Sequence, residues 1–233
     1  ILAMTVECLK AAGLTEFRVS VGQVDYYKSL LAEADLEPEM EEHLRELISQ
    51  KNYFGVEELL KGQNLSESLS EAFAELPQMF GSVEILEKAK KLTSNPEALF
   101  AVKRLEEIYE ILKVYGCEKY IAFDFGMLSK FRYYTGIIFQ AYTYGTGEPL
   151  IKGGRYNELM KHFGKPASSI GFAIVVDNLM LALSRQKLTV PSGDKTVVIT
   201  YAPGELKKAI QEAITLRGEG KKVALCPKKE EQE

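Results

Sequence analysis

The period of the apolar positions changes several times along the chain, and each change marks an element. Leu2, Val6 and Leu9 recur at helical spacing and stop at Gly13, which predicts an opening helix with a glycine C-cap. Phe17, Val19 and Val21 alternate with polar neighbours and predict a strand, after which residues 24–36 return to helical spacing. From Glu37 to Tyr115 the pattern is almost wholly helical. Pro38 fits a first turn, Gly55, Gly62 and Gly81 divide short helices, and Leu76–Pro77 adds a break. Residues 94–97 open a final helix through Leu99, Val102, Leu105, Ile108 and Leu112.

Beyond Cys117 the texture is different. Cys117–Phe125, Ile137–Tyr144, Leu150–Ile151 and Ile170–Val176 are apolar runs rich in β-branched and aromatic residues, separated by glycine clusters. They predict adjacent strands joined by tight connections. A helix follows from Asp177 to about Leu183, then a polar stretch containing Pro191 and Gly193. Val197–Tyr201, a helix at Glu205–Arg217 and Val223–Cys226 open a βαβ unit, and the charged tail after it carries no signal. The expected class is α+β, with a mostly antiparallel sheet. The expected organisation is a main domain over 1–186 with a helical insertion at about 37–115, a linker over 187–194 and a partial α/β domain over 195–233. A helix without an upstream cap and a short final α/β piece together read as a fragment.

Composition narrows the functional classes. A chain of 233 residues with 46% hydrophobic and 27% charged residues is ordinary for a globular protein. The net charge of −4, from 29 basic against 33 acidic residues, and the absence of a basic block count against a nucleic-acid surface. Cys8, Cys117 and Cys226 are odd in number and far apart, so neither disulfides nor zinc is expected, and buried free thiols are the reading. His43 and His162 are too isolated for a metal cluster. No signal peptide or membrane-spanning run stands out, so a cytoplasmic location and no membrane partner are expected.

The densest chemistry lies between Asp124 and Leu179. Gly153–Gly154 would let the backbone approach a ligand closely, with Tyr133, Tyr134 and Tyr156 as flat walls bearing hydroxyls. A tyrosine pair alone is more simply a sheet-packing pair; its coincidence with GGRY, seventeen residues after Gly136, favours a site. Arg155 has two readings of equal weight: a ligand contact, or an ion-pair partner of a carboxylate such as Asp124. Gly171 reads as close strand packing beside the pocket, and Glu148 and Lys152 as strand-end charges. The GTG at 145–147 lacks the rest of a phosphate-loop pattern, so it reads as a turn. No Ser–His–Asp or Cys–His set can be assembled, and no catalytic residue, metal or cofactor is assigned.

These residues carry a resemblance. Tyr133–Phe139 (YYTGIIF), Gly153–Tyr156 (GGRY) and Ile170–Leu179 (IGFAIVVDNL) are similar, in order, to the two histidine motifs and the third class II motif of histidyl-tRNA synthetases. The resemblance implies a class II synthetase-like fold whose first two motifs would precede residue 1. It implies a histidine site at Tyr133, Tyr134, Gly153, Gly154, Arg155, Tyr156 and Gly171. Two positions depart from the pattern. Ser129 stands where the synthetases carry a catalytic arginine, and Val175–Val176–Asp177–Asn178 stands where an arginine grips ATP phosphates. Serine and asparagine cannot neutralise an anion as a guanidinium does. With AYTYGTGEPLIKGGRY, that pattern resembles the synthetase-like regulatory branch associated with ATP phosphoribosyltransferase. The branch implies a non-catalytic subunit that binds L-histidine for feedback control of histidine biosynthesis. It also implies a homodimer within a hetero-oligomer, with the short catalytic subunit as partner and no tRNA. The rival expectation is an active histidyl-tRNA synthetase, and a third is an interaction module that binds no amino acid.

Overall fold

A computed structural model describes residues 1–128, 133–189, 196–202 and 204–228. Two compact units divide it, Ile1–Thr189 and Val190–Glu233. In the first unit α1 (Leu2–Ala11), β1 (Arg18–Gln23) and α2 (Val24–Ala34) come first. They lead into α3 (Pro38–Ser49), α4 (Tyr53–Leu60), α5 (Glu67–Glu75), β2 (Phe80–Gly81), α6 (Glu84–Lys91) and α7 (Pro96–Val114). The remainder is β3 (Ile121–Asp124), β4 (Ile137–Tyr142), β5 (Ile151–Arg155), β6 (Ile170–Ile174) and α8 (Val176–Arg185).

Local chemistry sets the helix ends. Gly13, at φ 96°, follows α1; its N–H reaches the Lys10 carbonyl and the Leu14 N–H reaches that of Leu9, a Schellman closure. Before α7, the Asn95 side chain accepts from the amides of Glu97 and Ala98, and Pro96 supplies the first helical φ. Gly55 does not divide helices as its sequence position implied. It lies in the first turn of α4, where the Asn52 cap accepts its amide at 2.9 Å. A Cβ there would sit 2.7 Å from the cap's Nδ2.

The six strands are ordered β2-β3-β1-β4-β5-β6, with β1 and β3 parallel and the other neighbours antiparallel. The parallel pair is possible because the helical segment between β1 and β3 serves as their long crossover. That segment is less purely helical than the pattern implied: Phe80 and Gly81 form the outermost strand, pairing with Asp124 and Phe123. The glycine pair expected in a connection instead lies inside β5.

Pairing register assigns each side chain to a face. Phe123, Val21, Phe139, Gly153 and Phe172 form one row, and the first three are buried in a single core with residues of α1, α2 and α7. Tyr109 of α7 sits 5.9 Å from Phe123, so this is the helix-covered face. Gly153 belongs to it. Phe139 and Phe172, with ring centroids 6.3 Å apart, occupy the space its side chain would need. The second unit pairs parallel strands β7 (Val197–Tyr201) and β8 (Val223–Pro227), joined through α9 (Leu206–Gly218), whose Ala209 and Ala213 are buried. Cys117 is buried, Cys8 half-buried and Cys226 exposed, so the third thiol departs from the expectation because it lies on the uncovered side of a two-stranded piece.

The packing yields a stability prediction. A Cβ on Gly153 would lie 2.5 Å from Phe139 Cζ, 2.6 Å from Phe172 Cβ and 2.7 Å from the Gly171 carbonyl oxygen. Gly153→Ala should therefore cost about 1–3 kcal/mol of unfolding free energy. Gly81→Ala, whose nearest neighbour is Ile85 Cβ at 3.8 Å, should cost less than about 0.5 kcal/mol. Urea denaturation of both variants checks this; equal costs would contradict it.

A tyrosine-lined candidate site on the open face of the sheet

The opposite face carries Gly22, Ile138, Gly154 and Gly171 in one row across β1, β4, β5 and β6. Two of these glycines exist for tyrosines. A Cβ on Gly154 would fall 2.7 Å from the Tyr134 ring, and one on Gly171 would fall 2.9 Å from the Tyr156 hydroxyl. Tyr133 completes the group, 4.6 Å from Tyr134 and 6.4 Å from Tyr156 between ring centroids, the latter pair perpendicular. Aromatic walls over bare backbone form a corner suited to a small planar ligand.

Hydrogen bonds hold the corner at its base. Thr135 N–H donates to the Arg155 carbonyl at 2.9 Å, and Tyr156 N–H to the Ser169 carbonyl at 2.8 Å. Lys28 of α2 donates its ammonium to the Tyr134 carbonyl at 3.1 Å, and Val24 N–H reaches the Gly136 carbonyl at 2.9 Å. Burial pushes the Tyr134 phenol up to about 12, with a side-chain hydrogen bond to Tyr133 as the second cause. Burial also raises Tyr142. Its hydroxyl donates to Gln140 Oε1 on the same face.

The structure brings Tyr133, Tyr134, Gly154, Tyr156 and Gly171 together and sets Gly153 and Arg155 apart. Both of the latter belong to the helix-covered face, because strand residues alternate sides. Arg155 lines a cavity of about 860 Å³ with Gln23, Asp25, Lys28, Arg104 and Gly136. The reading of Arg155 as an ion-pair partner of Asp124 is corrected: Asp124 faces the open side, where Oδ1 accepts from Lys51 Nζ at 2.5 Å and Gly126 N–H at 3.0 Å. Sequence reasoning passed over Gln140 and assigned Lys152 to a strand end, yet both share the open face with Gly154. Counting by two from Ile138 and Gly154 would have found them. Asn178, in the first turn of α8, donates its amide to the Pro149 carbonyl at 3.0 Å. Ser129 lies outside the described residues, as do Pro191, Gly193 and the last five residues.

With this geometry in view, comparison with known proteins places the chain. A family model described as histidyl-tRNA synthetase matches residues 1–179, and the chain belongs to that family. Within it, the chain is 36% identical over 220 residues to an ATP phosphoribosyltransferase regulatory subunit of Acetivibrio thermocellus, covering 94% of this chain and 53% of that protein. It is 39% identical over 225 residues to one of Thermoanaerobacter pseudethanolicus, covering 97% and 59%. A solved structure of an ATP phosphoribosyltransferase regulatory subunit/histidyl-tRNA synthetase from Bacillus halodurans superposes with a TM-score of 0.80 at 30% identity, covering all of this chain and 59% of that one. The fold is thus the class II synthetase-like one, and the chain spans somewhat over half the length of these relatives. Among the described residues no helix is long and apolar enough to cross a membrane.

The buried phenol gives a pH prediction. Tyr134 is raised from 10.0 to about 12, so its neutral form is favoured by folding. That contribution is complete below pH 10 and is lost as pH rises towards 12. Ultraviolet titration of Tyr134→Phe should lack one phenol ionising at about 12. Loss of a phenol titrating near 10.0 instead would show that the ring is solvated.

Proposed function

We propose that the tyrosine corner binds L-histidine and that the protein is the non-catalytic regulatory subunit of ATP phosphoribosyltransferase. In this reading histidine occupancy controls a short catalytic partner subunit, with this chain as a homodimer within the hetero-oligomer. The observation that carries it is the convergence of Tyr133, Tyr134 and Tyr156 over the bare backbone of Gly154 and Gly171. A neutral phenol both donates and accepts, so it can serve an imidazole nitrogen on one side and an ammonium on the other. The names of relatives at 36% and 39% identity support the regulatory role. Feedback then rests on histidine binding one state of the assembly more tightly than the other.

The second reading is an active histidine–tRNA ligase, favoured by the family model that matches 1–179. Against it stand Ser129 and Asn178 at the positions where the synthetases use arginines, and the placement of Arg155 behind the sheet. Adenylation needs permanent cations around phosphate, and among the described residues the strands turn only Arg18 and Lys152 to the open face, where Lys51 is already paired with Asp124. The guanidinium of Arg18 is tied to the Lys119 carbonyl at 2.8 Å.

Calorimetric titration with L-histidine should show binding, and Tyr156→Ala should weaken it by about 1–3 kcal/mol. Histidine-dependent ATP–pyrophosphate exchange should be absent. Mixing with the short catalytic subunit should enable its activity, and Tyr134→Ala should relieve inhibition by histidine without abolishing co-elution. Exchange at a synthetase's rate, or inhibition unchanged in Tyr134→Ala, would overturn the assignment.

A further inference from the structure

Three chain segments meet behind the tyrosine corner: the connector before β4, the exit of β5 and the entry to β6. Two side chains join them. Thr135 Oγ1 accepts the Asn157 N–H at 3.2 Å, and Asn157 Oδ1 accepts the Ser169 N–H at 3.0 Å. Each is covalently next to a wall of the site, Thr135 following Tyr134 and Asn157 following Tyr156. The backbone bonds from Thr135 to Arg155 and from Tyr156 to Ser169 close the same junction. The ladder ends at Arg155–Ile170, so beyond it these side-chain bonds take over from strand pairing.

The consequence is geometric. Tyr134 projects from the connector and Tyr156 from the exit of β5, and among the described residues both rings abut Tyr133, at 4.6 and 6.4 Å between centroids, rather than each other. The gap between the outer walls is therefore set at the base, where Thr135 and Asn157 sit half-buried. We propose that Thr135 and Asn157 are positioning residues that fix the separation of Tyr134 and Tyr156 and thereby the affinity of the corner for its amino-acid ligand. Neither touches the ligand in this account. The inference rests on the histidine-binding reading, and it adds which residues tune that site without forming it.

The experiment measures L-histidine binding by calorimetry in the protein and in five variants. Thr135→Val and Asn157→Ala each remove one accepting oxygen, and each should weaken affinity about three- to tenfold, the worth of one half-buried hydrogen bond. Thr135→Ser and Asn157→Asp keep an acceptor at the same place and should restore affinity to within about twofold. The double variant Thr135→Val/Asn157→Ala should fall short of the product of the single losses, because both act on one junction. Thermal unfolding identifies a variant that fails to fold, and the conservative pair then carries the comparison: affinity of Thr135→Ser or Asn157→Asp as low as that of the truncations would overturn the proposal. So would truncations that bind as tightly as the unaltered protein. If the unaltered protein itself binds no L-histidine, the functional reading fails first and the positioning inference falls with it.

Discussion

Two adjacent positions in β5 lack side chains because each faces a ring that needs the space. Gly153 leaves room for Phe139 and Phe172 on the covered side; Gly154 leaves room for Tyr134 on the open side. Strand alternation makes the two requirements independent, so one dipeptide serves the core and the site at once. Neither vacancy is conformational, since neither glycine has a positive φ. The constraint is contact distance, as both would-be Cβ positions lie under 3.0 Å from their neighbours. A methyl on one face would strain the core, and on the other would lift a wall of the site.

The open face is held differently from the core. On the covered side Val21, Phe123 and Phe139 are buried together with three helices, and close packing fixes their places. On the open side Tyr133 meets both Tyr134 and Tyr156, over the backbone of Gly154 and Gly171. Their positions depend on hydrogen bonds at the strand ends and on Lys28 and Val24 of α2. The helical insertion reaches this side through Lys51, whose own backbone is left-handed at φ 59° while its ammonium meets Asp124. Removing Lys51 would strand a largely buried carboxylate at the start of the segment leading to the tyrosines.

Much of this was legible in the sequence because period carries it. The helical run to Tyr115, the strands after Cys117 and the glycine C-cap at Gly13 follow from spacing and turn chemistry alone. Proximity in sequence misled where faces alternate. Arg155 stands between Gly154 and Tyr156 in the chain, yet its position in the ladder sends it through the sheet. The same rule hid Gln140, which looks like a polar interruption of an apolar strand and is a floor residue of the open face. Phe80–Gly81 was invisible as a strand because two residues make no pattern; Asp124 and Phe123 across the ladder define it. Asp124 could not be paired from sequence either, since Lys51 lies 73 residues away.

The distribution of charge between the faces bears on what the site can do. The guanidinium of Arg155 and that of Arg104 line the covered-face cavity, together with Asp25 and Lys28. On the open face the strands offer a glutamine, an exposed lysine, Arg18 bound to the Lys119 carbonyl, and a Tyr142 phenol raised by burial. In the proposed reading such a surface would recognise a small ligand by shape and by paired donors and acceptors rather than by the fixed cations that a triphosphate needs. A ligand held this way gains affinity from the spacing of its walls. If the corner binds its ligand as proposed, any state of the protein that moves the connector at Tyr133–Gly136 would change occupancy, which is the property a sensor requires.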